Sequence, residues 1–106
     1  MSLRFMRMII FYDLPTETLS QRRTFAKFVK QIKKIGFLSL QKSVYMKLCI
    51  NASGVDSTKI ELKKILPQEG NVALLVITEK QFSSIEYMLG QHESNVINSE
   101  DRIIEI

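Results

Sequence analysis

The first residue that could do chemistry is Asp13, the carboxylate that ends an apolar stretch written MRMIIFYD over residues 6–13. Two interpretations are open for an acid in this place. An aspartate before a turn such as Leu14-Pro15 is common, because its side chain bonds nearby backbone amides. A carboxylate at a strand end can also bind Mg²⁺, which takes one or two carboxylates from a protein and keeps several waters. The residue types alone favour the turn interpretation.

The second chemical feature is a segment of unmixed positive charge. Residues 18–55 contain eight basic residues and no acidic one, although the whole chain carries a net charge of only +4. Six of the basic residues fall on one helical arc of about 140°, separate from the apolar arc. They are Arg22, Arg23, Lys27, Lys30, Lys33 and Lys34. A solvated helix face usually mixes charge signs, so this arc, called here the basic arc, predicts phosphate contacts that do not read sequence.

Other residues with reactive side chains give weaker signals. Cys49 is the single cysteine and cannot form an internal disulfide, and His92 has no second histidine or cysteine beside it to share a metal. Ser43 and Tyr45 are expected to point outward from a half-buried strand. No stretch is apolar enough to span a membrane and no signal peptide is evident, so we expect a cytoplasmic protein without a membrane partner.

These residues need a scaffold, and its clearest element is a helix over residues 16–37. Thr16 or Thr18 can cap its start, and Gly36 can end it in a left-handed turn. Its apolar residues fall within an arc of about 120°, as expected for a helix that packs on a sheet.

The other elements alternate around this helix. We expect strands at 4–14 and 71–78, one or two strands in 37–50 with a turn or bulge at Gln41-Lys42, and a helix at 53–66 capped by Ser53 or Asp56. A short turn or helix, a weak strand, a polar loop and a last short strand at 102–106 follow. No linker divides the chain, so a single domain over residues 1–106 is predicted.

The order strand-helix-strand-strand-helix-strand predicts an α+β, ferredoxin-like βαββαβ fold with a short extra C-terminal strand and both helices on one face of the sheet. The strands at 4–14 and 71–78 are apolar at both parities, so the other face also needs a cover. A second copy packed sheet to sheet is one solution, which makes a homodimer the favoured expectation. The rival interpretation is that residues 81–106 fold back over their own sheet.

The chain also resembles a known family. A first strand ending in YDLP, a helix carrying QRR, and the segment GFLSLQKSVYMK after the helix resemble the small CRISPR-associated protein usually numbered two, in the form found in single-effector systems. The family pattern places an Asp at the end of strand one and paired basic residues early in the helix. In this sequence those are Asp13, Arg22 and Arg23.

The resemblance implies a protein with two activities. One is metal-dependent endonuclease activity on RNA or DNA, with Mg²⁺ (or Mn²⁺) shared by the two Asp13 carboxylates of a homodimer. A site with one ion should be slow. The other is a central place in the CRISPR adaptation complex, bridging integrase dimers and binding double-stranded protospacer DNA, with single-stranded RNA as a further candidate ligand. The alternative is a ferredoxin-like RNA-binding or regulatory domain without nuclease activity, which predicts exposed aromatic residues on the sheet.

Overall fold

The computed structural model describes residues 5–90. Seven elements follow one another along the chain. They are β1 (Met6–Asp13), α1 (Leu19–Ile35), β2 (Leu38–Gln41), β3 (Val44–Cys49), α2 (Ala52–Lys63), β4 (Asn71–Thr78) and α3 (Glu79–Ser83).

The four strands form one antiparallel sheet in the order β2-β3-β1-β4. Strand β1 is central and pairs with both β3 and β4, so that Ile9 lies opposite Met46 on one side and Leu75 on the other. The predicted segment 37–50 is two strands, with a turn at residues 42–43 and an irregular register between Ser39 and Gln41. The α+β, ferredoxin-like architecture expected from the sequence is confirmed.

Helix α1 begins and ends where local chemistry predicts. The hydroxyl of Thr18 accepts from the backbone N–H of Gln21, and the Gln21 side chain accepts from the backbone N–H of Thr18, which completes a capping box. At the other end Gly36 has φ +119°, in the left-handed region, and its N–H donates to carbonyls of the last turn.

The main core lies between the helices and one face of the sheet. Tyr12 packs edge-on against the rings of Phe25 and Phe28, with centroid separations of 5.8 and 5.4 Å, and stacks on Tyr45 at 6.1 Å. Burial of these rings contributes both apolar area and specific aromatic geometry. The prediction that Tyr45 points outward is therefore wrong: it is 8% exposed and belongs to the core.

Helix α2 differs from its prediction at the start. Its N-cap is Asn51, whose Oδ1 accepts from the N–H of Gly54 at 2.8 Å, and not Ser53 or Asp56. An asparagine amide satisfies a first-turn donor as well as a serine or aspartate does, so several polar residues in a row leave the boundary ambiguous. Its buried side chains are Val55, Thr58 and Leu62.

The sheet face away from α1 and α2, called here the open face, is only partly covered. Ile9, Leu40 and Met46 are buried there, with Phe82 and Tyr87 packed against them. The rival interpretation of fold-back is thus correct for part of the segment that begins at residue 81. No strand forms over residues 84–90, where a weak one was expected.

One ionic contact fastens α3 to the open face. The Arg7 guanidinium donates from Nε and Nη2 to the two carboxylate oxygens of Glu79, at 2.7 and 3.0 Å, and lies 4.3 Å from the centroid of the Phe82 ring. The Arg7 side chain is 17% exposed, so this paired geometry is partly shielded from water. It fixes where the chain turns after β4.

Four apolar side chains of the open face remain exposed to solvent. Phe11, Leu38, Leu48 and Leu75 are 41 to 48% exposed, and each lies on a different strand. Their registers place them on the same face as Ile9 and Met46. The expectation that both faces of β1 and β4 are buried, the second face by another copy, stays a prediction at Phe11 and Leu75, which are exposed in the single chain.

Some sequence predictions lie outside the described residues. These are the strand at 102–106 and the loop that carries His92, and the single domain over residues 1–106 stays a prediction. In residues 5–90 no helix is long and apolar enough to cross a membrane.

Candidate nucleic-acid and metal-binding site

Asp13 lies at the last position of β1 and faces away from the helices. Its neighbour Tyr12 points into the main core, and side chains alternate along a strand, so Asp13 shares the open face with Ile9 and Phe11. The residue is exposed and pairs in register with Asn71 of β4. In the part of the chain that the structure describes, its carboxylate makes no hydrogen bond or ion pair, unlike the capping aspartate of a turn.

The backbone at Asp13 is held by a close approach from the segment before β4. A Cβ placed on Gly70, which has φ +98°, would lie 2.7 Å from the Asp13 carbonyl oxygen and 2.7 Å from a methyl group of Leu14. Only glycine fits such an approach with this φ value. Gly70 therefore allows the α2–β4 connection to lie directly against the acid-bearing end of β1.

Tyr12, the tyrosine next to Asp13, is not placed to act as a base. Burial, together with the neighbouring Tyr45, raises the pKa of Tyr12 to about 12. The Tyr12 hydroxyl is therefore neutral at physiological pH, and it lies on the other side of the sheet from Asp13. Ser43 has φ +61° in the β2–β3 turn, and its carbonyl accepts from the Tyr12 N–H, so its backbone supports the strand end.

The basic arc of α1 is fully displayed to solvent. All six of its side chains are exposed, and none forms a salt bridge with an acid among residues 5–90. The ammonium of Lys47 adds to this charge, since a Cβ on Gly36 would lie 3.3 Å from its Nζ at the C-terminal end of the helix. Cations in that position also interact favourably with the helix dipole.

The acids of residues 5–90 do not assemble a metal centre within one chain. Residues 5–90 contain no group of three or more His, Cys, Asp or Glu side chains placed to hold an ion. The Asp13 carboxylate supplies a hard oxygen ligand, which suits Mg²⁺, but supplies only one. The donor set fits such an ion when a second carboxylate comes from another chain.

Comparison with known proteins agrees with this architecture. The family model of the CRISPR associated protein Cas2 matches residues 6–85, which include Asp13 and all of α1. The chain belongs to the Cas2 family. The resemblance inferred from the YDLP and QRR motifs is thereby confirmed.

Individual Cas2 relatives are similar along nearly their whole length. A CRISPR-associated endoribonuclease Cas2 of Streptococcus mutans is 39% identical over 93% of this chain and 91% of its own. One of Ligilactobacillus salivarius is 37% identical over 93% of this chain and 98% of its own. A crystal structure of a Cas2 protein superposes with a TM-score of 0.60 at 19% identity, covering 90% of this chain and 98% of the other, which supports the fold.

The structure also assigns roles that the sequence prediction missed. Gln21 and Arg22, in the first turn of α1, contact the connection after Asp13, and Gly70 contacts Asp13 itself. A Thr-x-x-Gln capping-box pattern at Thr18 was a signal for Gln21. The neighbouring residues do not predict the role of Gly70, because its contact partner Asp13 is more than fifty residues away in the sequence.

We expect Gly70→Ala to destabilise the protein more than Gly90→Ala. Both glycines have positive φ, and a left-handed backbone costs an L-residue about 1–2 kcal/mol. Only Gly70 also has neighbours in the way, since no atom of residues 5–90 is found within 4 Å of a Cβ on Gly90. The added overpacking should raise the loss of stability at Gly70 by a further 1–3 kcal/mol or so. Equal losses in chemical denaturation would contradict the proposed close contact with Asp13.

Proposed function

We propose that this Cas2-family chain acts as a homodimer that is both a slow, metal-dependent endonuclease and a DNA-binding subunit of the CRISPR adaptation complex. The observation that carries the proposal is the position of Asp13, exposed at the end of β1 on the open face. One carboxylate on a face that lacks part of its cover suits a site completed by a second copy. The names of the relatives, endoribonucleases, support the reaction class.

The proposed homodimer uses the open face. The exposed side chains of Phe11 and Leu75 would be withdrawn from water against a second sheet, and burial of apolar area is the main driving force for such association. A two-fold axis near the ends of the β1 strands would bring two Asp13 side chains together.

The proposed metal site consists of Asp13 and its counterpart in the second chain. Two carboxylates and several waters are an ordinary ligand set for Mg²⁺, with Mn²⁺ able to replace it. When bound, such an ion lowers the pKa of a coordinated water and stabilises charge on a phosphodiester. The chain itself has to orient each carboxylate. Two features support this role: the pairing of β1 with β4 up to Asp13, and the close contact of Gly70 with the Asp13 carbonyl.

The proposed DNA surface is the basic arc. Like charges spaced along one helix repel and weaken it slightly, and phosphates would offset this cost. The arc consists of Arg and Lys side chains, with no aromatic side chain among them, so its contacts should be to the DNA phosphates. Stacking on the bases is not expected. Double-stranded protospacer DNA is the proposed ligand, with integrase dimers bridged by the same dimer in the cytoplasm. Single-stranded RNA is the further substrate for cleavage.

A second candidate function has one observation in its favour. Phe11 is an aromatic side chain on a sheet surface, 41% exposed, as in domains that stack RNA bases on a sheet. Its neighbours on the open face are aliphatic, Ala73 and Leu75, and such domains usually stack two or three bases. Covering by a second copy accounts for all of these residues, whereas RNA stacking accounts only for Phe11.

We expect the wild-type chain to be a dimer, with a mass near twice 12.3 kDa in light scattering at micromolar concentration. Leu75→Glu should give monomers, because a charge buried between two sheets without a partner is costly. Ile60→Glu is the control, since Ile60 is 58% exposed on α2, away from the open face. A wild-type mass near 12.3 kDa would contradict the proposed dimer. Leu75→Glu that stays dimeric would show that another surface forms it.

We expect the triple variant Arg23→Ala, Lys27→Ala and Lys30→Ala to bind all DNA sequences more weakly. Its slope of log affinity against log salt should flatten by roughly one unit for each phosphate that the variant no longer binds. The control removes the same charge elsewhere, at Lys59, Lys63 and Lys80, which are also exposed. Equal effects of the two triple variants would mean that only net charge matters. If the arc variant is folded and its slope is unchanged, the arc does not contact DNA phosphates and is only a solvated helix face.

We expect Asp13→Asn to remove Mg²⁺- or Mn²⁺-dependent cleavage of RNA and double-stranded DNA, by about 100-fold or more, because the variant lacks a ligand of the ion. DNA binding and spacer acquisition with the integrase in cells should persist, since the arc is untouched. Asp56→Asn, an exposed acid on α2, is the control and should cleave normally. Cleavage that survives in Asp13→Asn would contradict the proposed role of Asp13 as a ligand of the catalytic ion. Loss of acquisition while DNA binding is intact would contradict the separation of the two activities.

A further inference from the structure

The five residues that connect β1 to α1, numbers 14–18, are called here the acid turn, because they follow Asp13 directly. The first turn of α1 holds them through Gln21. Its Oε1 accepts from the backbone N–H groups of Glu17 and Thr18, at 2.8 and 3.0 Å. In a capping box the glutamine side chain normally accepts from one backbone N–H group, that of the N-cap residue. Here it accepts from two, so it also holds the residue before the N-cap.

Arg22 fastens the same connection through its carbonyl groups. Its Nη1 donates to the carbonyl oxygens of Thr16 and Glu17, both at 3.1 Å. The side chain of the neighbouring Arg23 makes no hydrogen bond or ion pair among residues 5–90. The two adjacent arginines therefore carry the same charge but differ in what they contact. Nε and Nη2 of Arg22 have no protein acceptor in the described chain, so they stay available to a phosphate.

The acid turn is held on its far side by the segment before β4. Gln21 donates from Nε2 to Oε1 of Glu69 at 3.3 Å, and the next residue, Gly70, lies against the Asp13 carbonyl. A single side chain thus joins the start of α1 to the segment that touches the acid. The contact to Glu69 is long and exposed, so the shorter contacts of Gln21 and Arg22 to the acid turn should matter more.

We infer that Arg22, together with Gln21, is a positioning residue for Asp13, and that its part in the family's basic pair is to brace the acid turn as well as to meet DNA. The inference rests on the proposed role of Asp13 as the acid of the nuclease. Asp13 has no side-chain partner of its own in the described chain, so its direction is set by the backbone on either side. The strand fixes one side, and the brace from Arg22 and Gln21 fixes the other.

The test compares Arg22→Ala with Arg23→Ala, which remove the same charge from adjacent positions. Hydrogen exchange of the Glu17 and Thr18 amides measures the brace without metal or substrate. Arg22→Ala does not remove their acceptor, yet exchange should speed up about tenfold or more as the acid turn loosens. The maximal cleavage rate at saturating substrate should fall by a similar factor, since small misplacements of a catalytic group are costly. In Arg23→Ala we expect unchanged exchange of these two amides, whereas its KM should rise because Arg23 belongs to the basic arc.

A second pair of variants guards against a general loss of stability. Gln81 makes the same capping box with Thr78 at the start of α3 as Gln21 makes at α1. Gln21→Ala and Gln81→Ala should therefore both lower the melting temperature, whereas only Gln21→Ala should lower the maximal cleavage rate.

Two results would overturn the inference. One is equal exchange in Arg22→Ala and Arg23→Ala, and the other is faster exchange in Arg22→Ala with an unchanged maximal rate. Failure of the underlying proposed function would appear in a different variant, as cleavage that persists in Asp13→Asn.

Discussion

The fixed inward direction of Tyr12 is the constraint on which the rest of this molecule depends. Tyr12 lies between Phe25 and Phe28 of α1 and Tyr45 of β3, and it is 7% exposed. Since side chains alternate along a strand, a buried Tyr12 sends Asp13 to the opposite face. A slip of one residue in the register of β1 would bury the carboxylate among aromatic rings, which is costly without a partner. The hydrophobic core thus decides where the acid lies.

The same alternation separates two charged regions. The basic arc lies on the outer surface of the helix layer, and Asp13 lies on the open face beyond the sheet. A polyanion held on the arc of one chain does not need the acid of that chain. This separation is the physical reason to treat the proposed DNA binding and the proposed cleavage as independent. The first turn of α1 is the place where the two regions come close, because Arg22 belongs to the arc and also contacts the acid turn.

Most of the fold could be predicted from the sequence because its signals are local. The apolar arc of α1, the capping pattern at Thr18 and the glycine at position 36 each depend on neighbours within a few residues. The missed features depend on distant partners. Tyr45 is buried because Tyr12 stacks on it, and Gly70 is constrained because Asp13 lies against it. At the site, the type and place of Asp13 and the basic arc were predictable, whereas the brace from Gln21 and Arg22 required coordinates.

The open face is covered only in part by residues 5–90, which leaves room for the proposed second copy. Its own residues cover Ile9, Leu40 and Met46, and the bidentate pair of Arg7 and Glu79 sets how far that cover extends. Full coverage by the chain itself would shut the acid away, and no coverage would expose a large apolar patch prone to non-specific association. Partial coverage leaves Phe11 and Leu75 exposed on the face that Asp13 shares. In the proposed dimer, a second sheet that buries them would also come close to the acid-bearing end of β1, so association and assembly of the proposed two-carboxylate site would be the same event.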